Sequence, residues 1–198
     1  MLKRFRPTLK KILDPAVKRI NINPNIITII SPLVALVSGI FFGAENLLMG
    51  GVFILVSGIF DVFDGAIARF HNKTSDFGAF LDSTMDRFSD FIIIIGLMWG
   101  GYAPWLIGAL AIHSTITVSY IRAISESKGI QCNVGIAERA TRLIILMGGA
   151  FIAVILNNNA YMYFAILLMV ILSYITVAQR IYHVWKLTKH NRRNLKKS

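Results

Sequence analysis

The chemistry-bearing residues of this chain are four aspartates set among apolar side chains. Residues 61–69 read Asp61-Val-Phe-Asp64-Gly65-Ala-Ile-Ala68-Arg69, and after eight further residues the chain reads Gly78-Ala-Phe-Leu-Asp82-Ser-Thr-Met-Asp86. A charged Asp near the centre of a membrane helix costs about 2.5–3.5 kcal/mol, less near the interface. Four of them together cannot stay ionised in such surroundings without cations. Hard carboxylate oxygens select Mg²⁺, Mn²⁺ or Ca²⁺.

Helical spacing puts these side chains on shared faces. At about 100° per residue, Asp61 and Asp64 lie about 60° apart, with Gly65 about 40° and Ala68 about 20° from Asp61. Gly78, Asp82 and Asp86 step by about 40° each. The short connection over 71–77 makes the two segments an antiparallel hairpin. Asp61 precedes Phe70, and Asp86 follows Phe77, by the same nine residues, which sets both about 13 Å from the turn. Asp64 and Asp82 match at a shallower level. The small residues Gly65, Ala68, Gly78 and Ala79 admit either a ligand close to the backbone or a close helix contact. Their interleaving with the carboxylates favours the ligand.

The elements that position these residues are membrane helices. The chain is 55% hydrophobic and 16% charged, with mean hydropathy +0.62, whereas soluble domains are about 25% charged. Apolar stretches at roughly 24–43, 47–70, 78–100, 102–125, 139–157 and 160–185 each approach the ~20 residues that a span requires. The expected fold is therefore an all-α integral membrane protein of six transmembrane helices. Turn-forming residues separate the spans at 43–46, 71–76, 100–101, 125–137 and 157–159.

All 21 Lys and Arg residues fall at the N-terminus, the second-to-third junction, the fourth-to-fifth junction or the C-terminal end. The three remaining turns carry none, so the cationic side, with both termini and the carboxylate cluster, is expected to be cytoplasmic. The net charge of +11 is one membrane-facing surface and needs no nucleic acid partner. Residues 1–22 space Leu2, Phe5, Leu9, Ile12, Leu13, Val17 and Ile20 between basic residues, the pattern of an amphipathic interfacial helix preceding the spans. A cleaved signal peptide fits less well, because the apolar run that follows is too long. The expected domains are thus this juxtamembrane helix, a transmembrane catalytic domain over 23–186, and a basic tail over 187–198 lying against anionic head groups. The single cysteine, Cys132, excludes an internal disulfide and any cysteine-cluster metal site.

With these residues in place, the sequence resembles the CDP-alcohol phosphotransferase family. That family's signature, D-x2-D-G-x2-A-R followed at about eight residues by G-x3-D-x3-D, is present over 61–86 at every defined position. The resemblance implies a homodimeric membrane enzyme that uses two divalent metals, Mg²⁺ or Mn²⁺, to attack the pyrophosphate of a CDP-lipid and release CMP. It implies that Asp61, Asp64 and Asp82 ligate metal. Asp86 becomes the candidate general base and also a candidate ligand of the second ion, two roles that conflict, since a neighbouring cation keeps a base ionised while weakening it. Gly65, Ala68 and Gly78 would line the cytidine pocket, with Arg69 near the diphosphate. Asn25 and Thr28 resemble the family's further nucleotide contacts. Asp90 lies beyond the signature and is expected to pair with Arg87 or a neighbouring helix.

The acceptor side is written in arginine. Arg122 in Tyr120-Ile-Arg122-Ala, Arg139 and Arg142 in Gly135-Ile-Ala-Glu138-Arg139-Ala-Thr-Arg142, and Arg180 after Gln179 look like the branch that makes inositol-phosphate lipids. Guanidiniums suit an acceptor that carries a phosphate, with inositol phosphate expected first, glycerol phosphate second and serine as a further alternative. The competing role for each arginine is snorkelling to head groups. A proton-coupled or divalent-cation transporter is the rival class, but it would place its acids nearer mid-bilayer beside interrupted helices. The donor is expected to be CDP-diacylglycerol or CDP-archaeol. His113, the one histidine well inside a span, is expected to be a hydrogen-bonded packing residue.

Overall fold

The computed structural model describes residues 24–70 and 75–195. The expected interfacial helix over 1–22 and the last residues of the basic tail lie outside the described residues. Six helices follow one another among the described residues: α1 (Pro24–Gly43), α2 (Leu47–Phe70), α3 (Asp76–Trp99), α4 (Trp105–Ser127), α5 (Arg139–Ile155) and α6 (Ala160–Leu195). No strand occurs among the described residues. By length and composition, α1, α2, α4 and α6 can each cross a membrane. The other two differ for visible reasons. α3 carries Asp82, Asp86, Arg87 and Asp90 along its length, and α5 has 17 residues.

The helices stop where backbone chemistry makes them stop. After α1, α3, α4 and α5 one residue turns left-handed, namely Glu45 (φ 60°), Gly101 (φ 74°), Gly129 (φ 74°) and Asn157 (φ 48°). In each case the next amide reaches back five residues to an otherwise orphaned carbonyl, as Ile130 N–H does to Ser125 O at 3.0 Å and Asn158 N–H to Ala153 O at 2.9 Å. Asn46 then caps α2, its Oδ1 accepting the Met49 N–H at 3.0 Å. Ser75 does the same for α3 through the Gly78 N–H at 3.0 Å.

The chain divides into two compact units, Met1–Gly96 and Leu97–Ser198. In the first, α1 and α2 form a hairpin. Phe42 is wholly buried against Gly50, Phe41 stacks on Phe53 at 5.4 Å between ring centroids, and the Ser38 hydroxyl donates to the Gly50 carbonyl at 2.8 Å. Gly39 and Gly96 let the α1 and α3 backbones touch, since a Cβ at Gly96 would collide with the Gly39 backbone. Small residues at such crossings are how helices associate where apolar burial alone gives no preference for a neighbour.

In the second unit α6 is the common partner of α4 and α5. Gly149 lies against Ala165 with no room for a side chain, and Ala150, Met162, Ile166 and Met169 are buried. His113 Nδ1 lies 3.0 Å from the Tyr174 hydroxyl, joining α4 to α6 as a hydrogen-bonded histidine. α6 has 36 residues and runs past the expected boundary at residue 186. Its continuation is supported by i,i+4 contacts, with Lys189 Nζ 4.7 Å from the Trp185 ring centre and the Thr188 hydroxyl bonded to the Val184 carbonyl at 3.0 Å.

Candidate active site

In the first unit the carboxylates stand where helical spacing requires. Asp61 lies on α2 nine residues before its end at Phe70, and Asp82 and Asp86 lie one turn apart on α3. All three are half-buried. Asp64, Ala68 and Arg69 belong to the helical backbone of α2, but their side chains, like that of Asn25, lie outside the described ones. Among the described residues no three His, Cys, Asp or Glu side chains gather around a single point.

Asp61 is tied to α1 by a serine that motif reasoning did not single out. The Ser31 hydroxyl of α1 donates to Asp61 Oδ1, and Ser31 Oγ is 3.2 Å from Ser57 Oγ. Both serines are buried. The only sequence signal was a serine in each of two apolar helices, 26 residues apart. A donor behind a carboxylate fixes which oxygen points outward, which is how outer partners orient metal ligands. A half-buried carboxylate so supported is the kind of hard oxygen donor that a divalent cation takes.

On α3, Arg87 Nη1 lies 3.5 Å from Asp86 Oδ2 and also donates to the Ser83 carbonyl. Arg87 therefore stands beside Asp86, while Asp90 is buried one turn on. Gly65 and Gly78 are both partly exposed. Thr28 is buried on α1, near the Ile27–Ile67 contact that ties the start of α1 to the end of α2.

The four arginines of the second unit separate into distinct environments. Arg122 is exposed on α4 and its Nε donates to Glu126 Oε1 at 2.8 Å, an i,i+4 pair. Arg142 and Arg180 are buried, at 3% and 4% exposure, so neither snorkels. Arg142 Nη1 donates to the Ala137 carbonyl at 3.0 Å. Arg180 Nε donates to Val134 O at 2.9 Å and its Nη1 to Val118 O. These two carbonyls accept from Arg180 without neutralising its charge, and a buried charge is strongly stabilised by an anion. Arg139, at the first position of α5, is half-buried.

Comparison with known proteins decides what this arrangement belongs to. Residues 21–178 match the family model described as CDP-alcohol phosphatidyltransferase. The chain belongs to the CDP-alcohol phosphatidyltransferase family. It is 44% identical over 189 residues to the archaetidylinositol phosphate synthase of Methanothermobacter thermautotrophicus, covering 96% of each chain. It is 38% identical to that of Pyrococcus horikoshii, covering 94% of this chain and 97% of the relative. The crystal structure of Mycobacterium tuberculosis phosphatidylinositol phosphate synthase with CDP-DAG bound superposes with a TM-score of 0.78 at 27% identity, covering 89% of this chain and 93% of that one. The same mycobacterial protein has a structure in complex with manganese and citrate, again with a TM-score of 0.78. As a member of this family, the protein is a helical membrane enzyme of phospholipid synthesis that transfers a phosphatidyl group from a CDP-lipid. The rival transporter class is thereby set aside.

Proposed function

We propose that this phosphatidyltransferase is an inositol-phosphate lipid synthase, joining the phosphatidyl or archaetidyl group of CDP-diacylglycerol or CDP-archaeol to a hydroxyl of inositol phosphate and releasing CMP. The observation that carries the reading is the 44% identity, over 96% of both chains, to an archaetidylinositol phosphate synthase. It is supported by the burial of Arg142 and Arg180, since guanidiniums pair strongly with the phosphate of a phosphorylated acceptor.

Asp61, Asp64, Asp82 and Asp86 would hold two Mg²⁺ or Mn²⁺ ions, which when bound neutralise diphosphate charge and make the attacked phosphorus more electrophilic. Asp86 accepts the proton of the acceptor hydroxyl as that oxygen bonds to the phosphatidyl phosphorus. The phosphorus–oxygen bond to CMP breaks, and CMP leaves with the electron pair. Gly65, Ala68 and Gly78 leave space for the cytidine, Asn25 and Thr28 add polar contacts to it, and Arg69 steadies the diphosphate. Arg139, Arg142 and Arg180 neutralise the acceptor's phosphate. Arg122 contributes less, because Glu126 already offsets its charge.

The same reading places α3 and α5 in the membrane with the other four helices, residues 1–22 along the interface, and the active site and both termini on the cytoplasmic side, in a homodimer. Parallel assays with inositol phosphate, glycerol 3-phosphate and L-serine test the acceptor. Product from inositol phosphate at the highest kcat/KM is expected, and turnover with serine alone would overturn the assignment.

A further inference from the structure

The connection from α4 to α5, over residues 128–138, delivers the chain to Arg139 and Arg142. Three side chains from one stripe of α6 grip its backbone. His183 Nε2 lies 3.2 Å from Gln131 O, Arg180 Nε donates to Val134 O at 2.9 Å, and Thr176 Oγ1 accepts both the Ile136 N–H at 3.2 Å and the Ala137 N–H at 2.9 Å. The Thr176 hydroxyl also donates to the Leu172 carbonyl at 2.9 Å. One hydroxyl hydrogen and two lone pairs are thus fully used.

Ala137 is the link to the arginines. Its N–H rests on Thr176, and its carbonyl accepts Arg142 Nη1 at 3.0 Å. Thr176, Ala137 and Arg142 are each buried, at 0%, 0% and 3% exposure, so water does not substitute for either bond. Glu138, at the N-cap of α5, makes no side-chain capping bond, which leaves the grip from α6 to set where the first turn begins. Gly135 holds φ at +125°, and a Cβ there would strike Thr176 Cγ2. The close fit between loop and threonine therefore depends on a glycine at that position.

We infer that Thr176 is a positioning residue for acceptor recognition, fixing the Arg142 guanidinium through the Ala137 peptide. The inference rests on the proposed acceptor role of the arginines. It predicts a selective defect. Losing the hydroxyl orphans the buried Ala137 N–H and frees the part-buried Ile136 N–H, lets residues 136 and 137 shift, and misplaces Arg142 while leaving the first unit's carboxylates as they were.

The test is steady-state kinetics of the full-length protein in detergent, varying inositol phosphate and CDP-lipid separately. Thr176→Val keeps the side chain's shape and is expected to raise the inositol phosphate KM about tenfold, as small misplacements of a binding group do. The CDP-lipid KM should stay unchanged and Thr176→Ser should restore the acceptor KM. Should Thr176→Val not accumulate, Thr176→Cys, a weaker hydrogen-bonding side chain, carries the same comparison. An unchanged acceptor KM, or a loss of kcat and stability that Thr176→Ser does not reverse, overturns the inference. Arg142→Lys runs alongside. If it too leaves the acceptor KM unchanged, the arginine reading itself fails, whereas a raised KM in Arg142→Lys with none in Thr176→Val removes only the role of Thr176.

Discussion

Asp61 accepts a hydrogen bond from a buried serine of another helix. Replacing Ser31 by Ala removes that donor and lets the carboxylate rotate. Loss of an outer partner of this kind weakens metal affinity about 10–100-fold. The expected outcome for Ser31→Ala is a weaker Mn²⁺ binding isotherm, read by electron paramagnetic resonance of the free ion, with Ser31→Thr close to the parent. An isotherm unchanged by Ser31→Ala would remove Ser31 from the metal site. The carboxylates themselves were legible in the sequence, because an Asp in an apolar helix is costly and so stands out. Ser31 was not, since a serine is common in membrane helices and only the packing of α1 on α2 shows what it faces. Thr176 was hidden for the same reason, its loop partners lying 39 and 40 residues away in the chain.

Apolar stretches separated by turn residues located all six helices closely, down to α1 at Pro24–Gly43 and α2 at Leu47–Phe70. Length, hydrophobicity and glycine or asparagine at the breaks are local properties, and they decide local structure. The end of α6 escaped because Lys and Arg are good helix formers that read equally well as a solvated tail. The turns themselves carry a prediction. Gly129 sits at φ 74° with open space around a would-be Cβ, so its substitution tests backbone strain without steric conflict. Gly129→Ala is expected to cost about 1–2 kcal/mol, the penalty of a left-handed L-residue. Gly129→Asn should cost less, because Asn tolerates that conformation. Thermal unfolding in detergent ranks the three proteins, and an Ala variant as stable as the parent would contradict the cap assignment at the end of α4.

Charge distribution is a property of the whole chain, and it was readable in full because it needs no packing information. The three turns without Lys or Arg alternate with the four basic regions, and that alternation fixes the proposed orientation. A reporter active only in the cytoplasm, fused after Ser198, is expected to be active. An active periplasmic or external reporter at that position would reverse the topology and the side on which substrates enter. What the chain does as a whole is settled most directly by CMP release from CDP-lipid by the purified full-length protein, followed with Mg²⁺ or Mn²⁺ present and again after excess EDTA. Release that requires inositol phosphate, stops in EDTA and is lost in Asp82→Asn is the expected result; steady turnover in EDTA, or an unimpaired Asp82→Asn, would contradict the carboxylate-held metal chemistry.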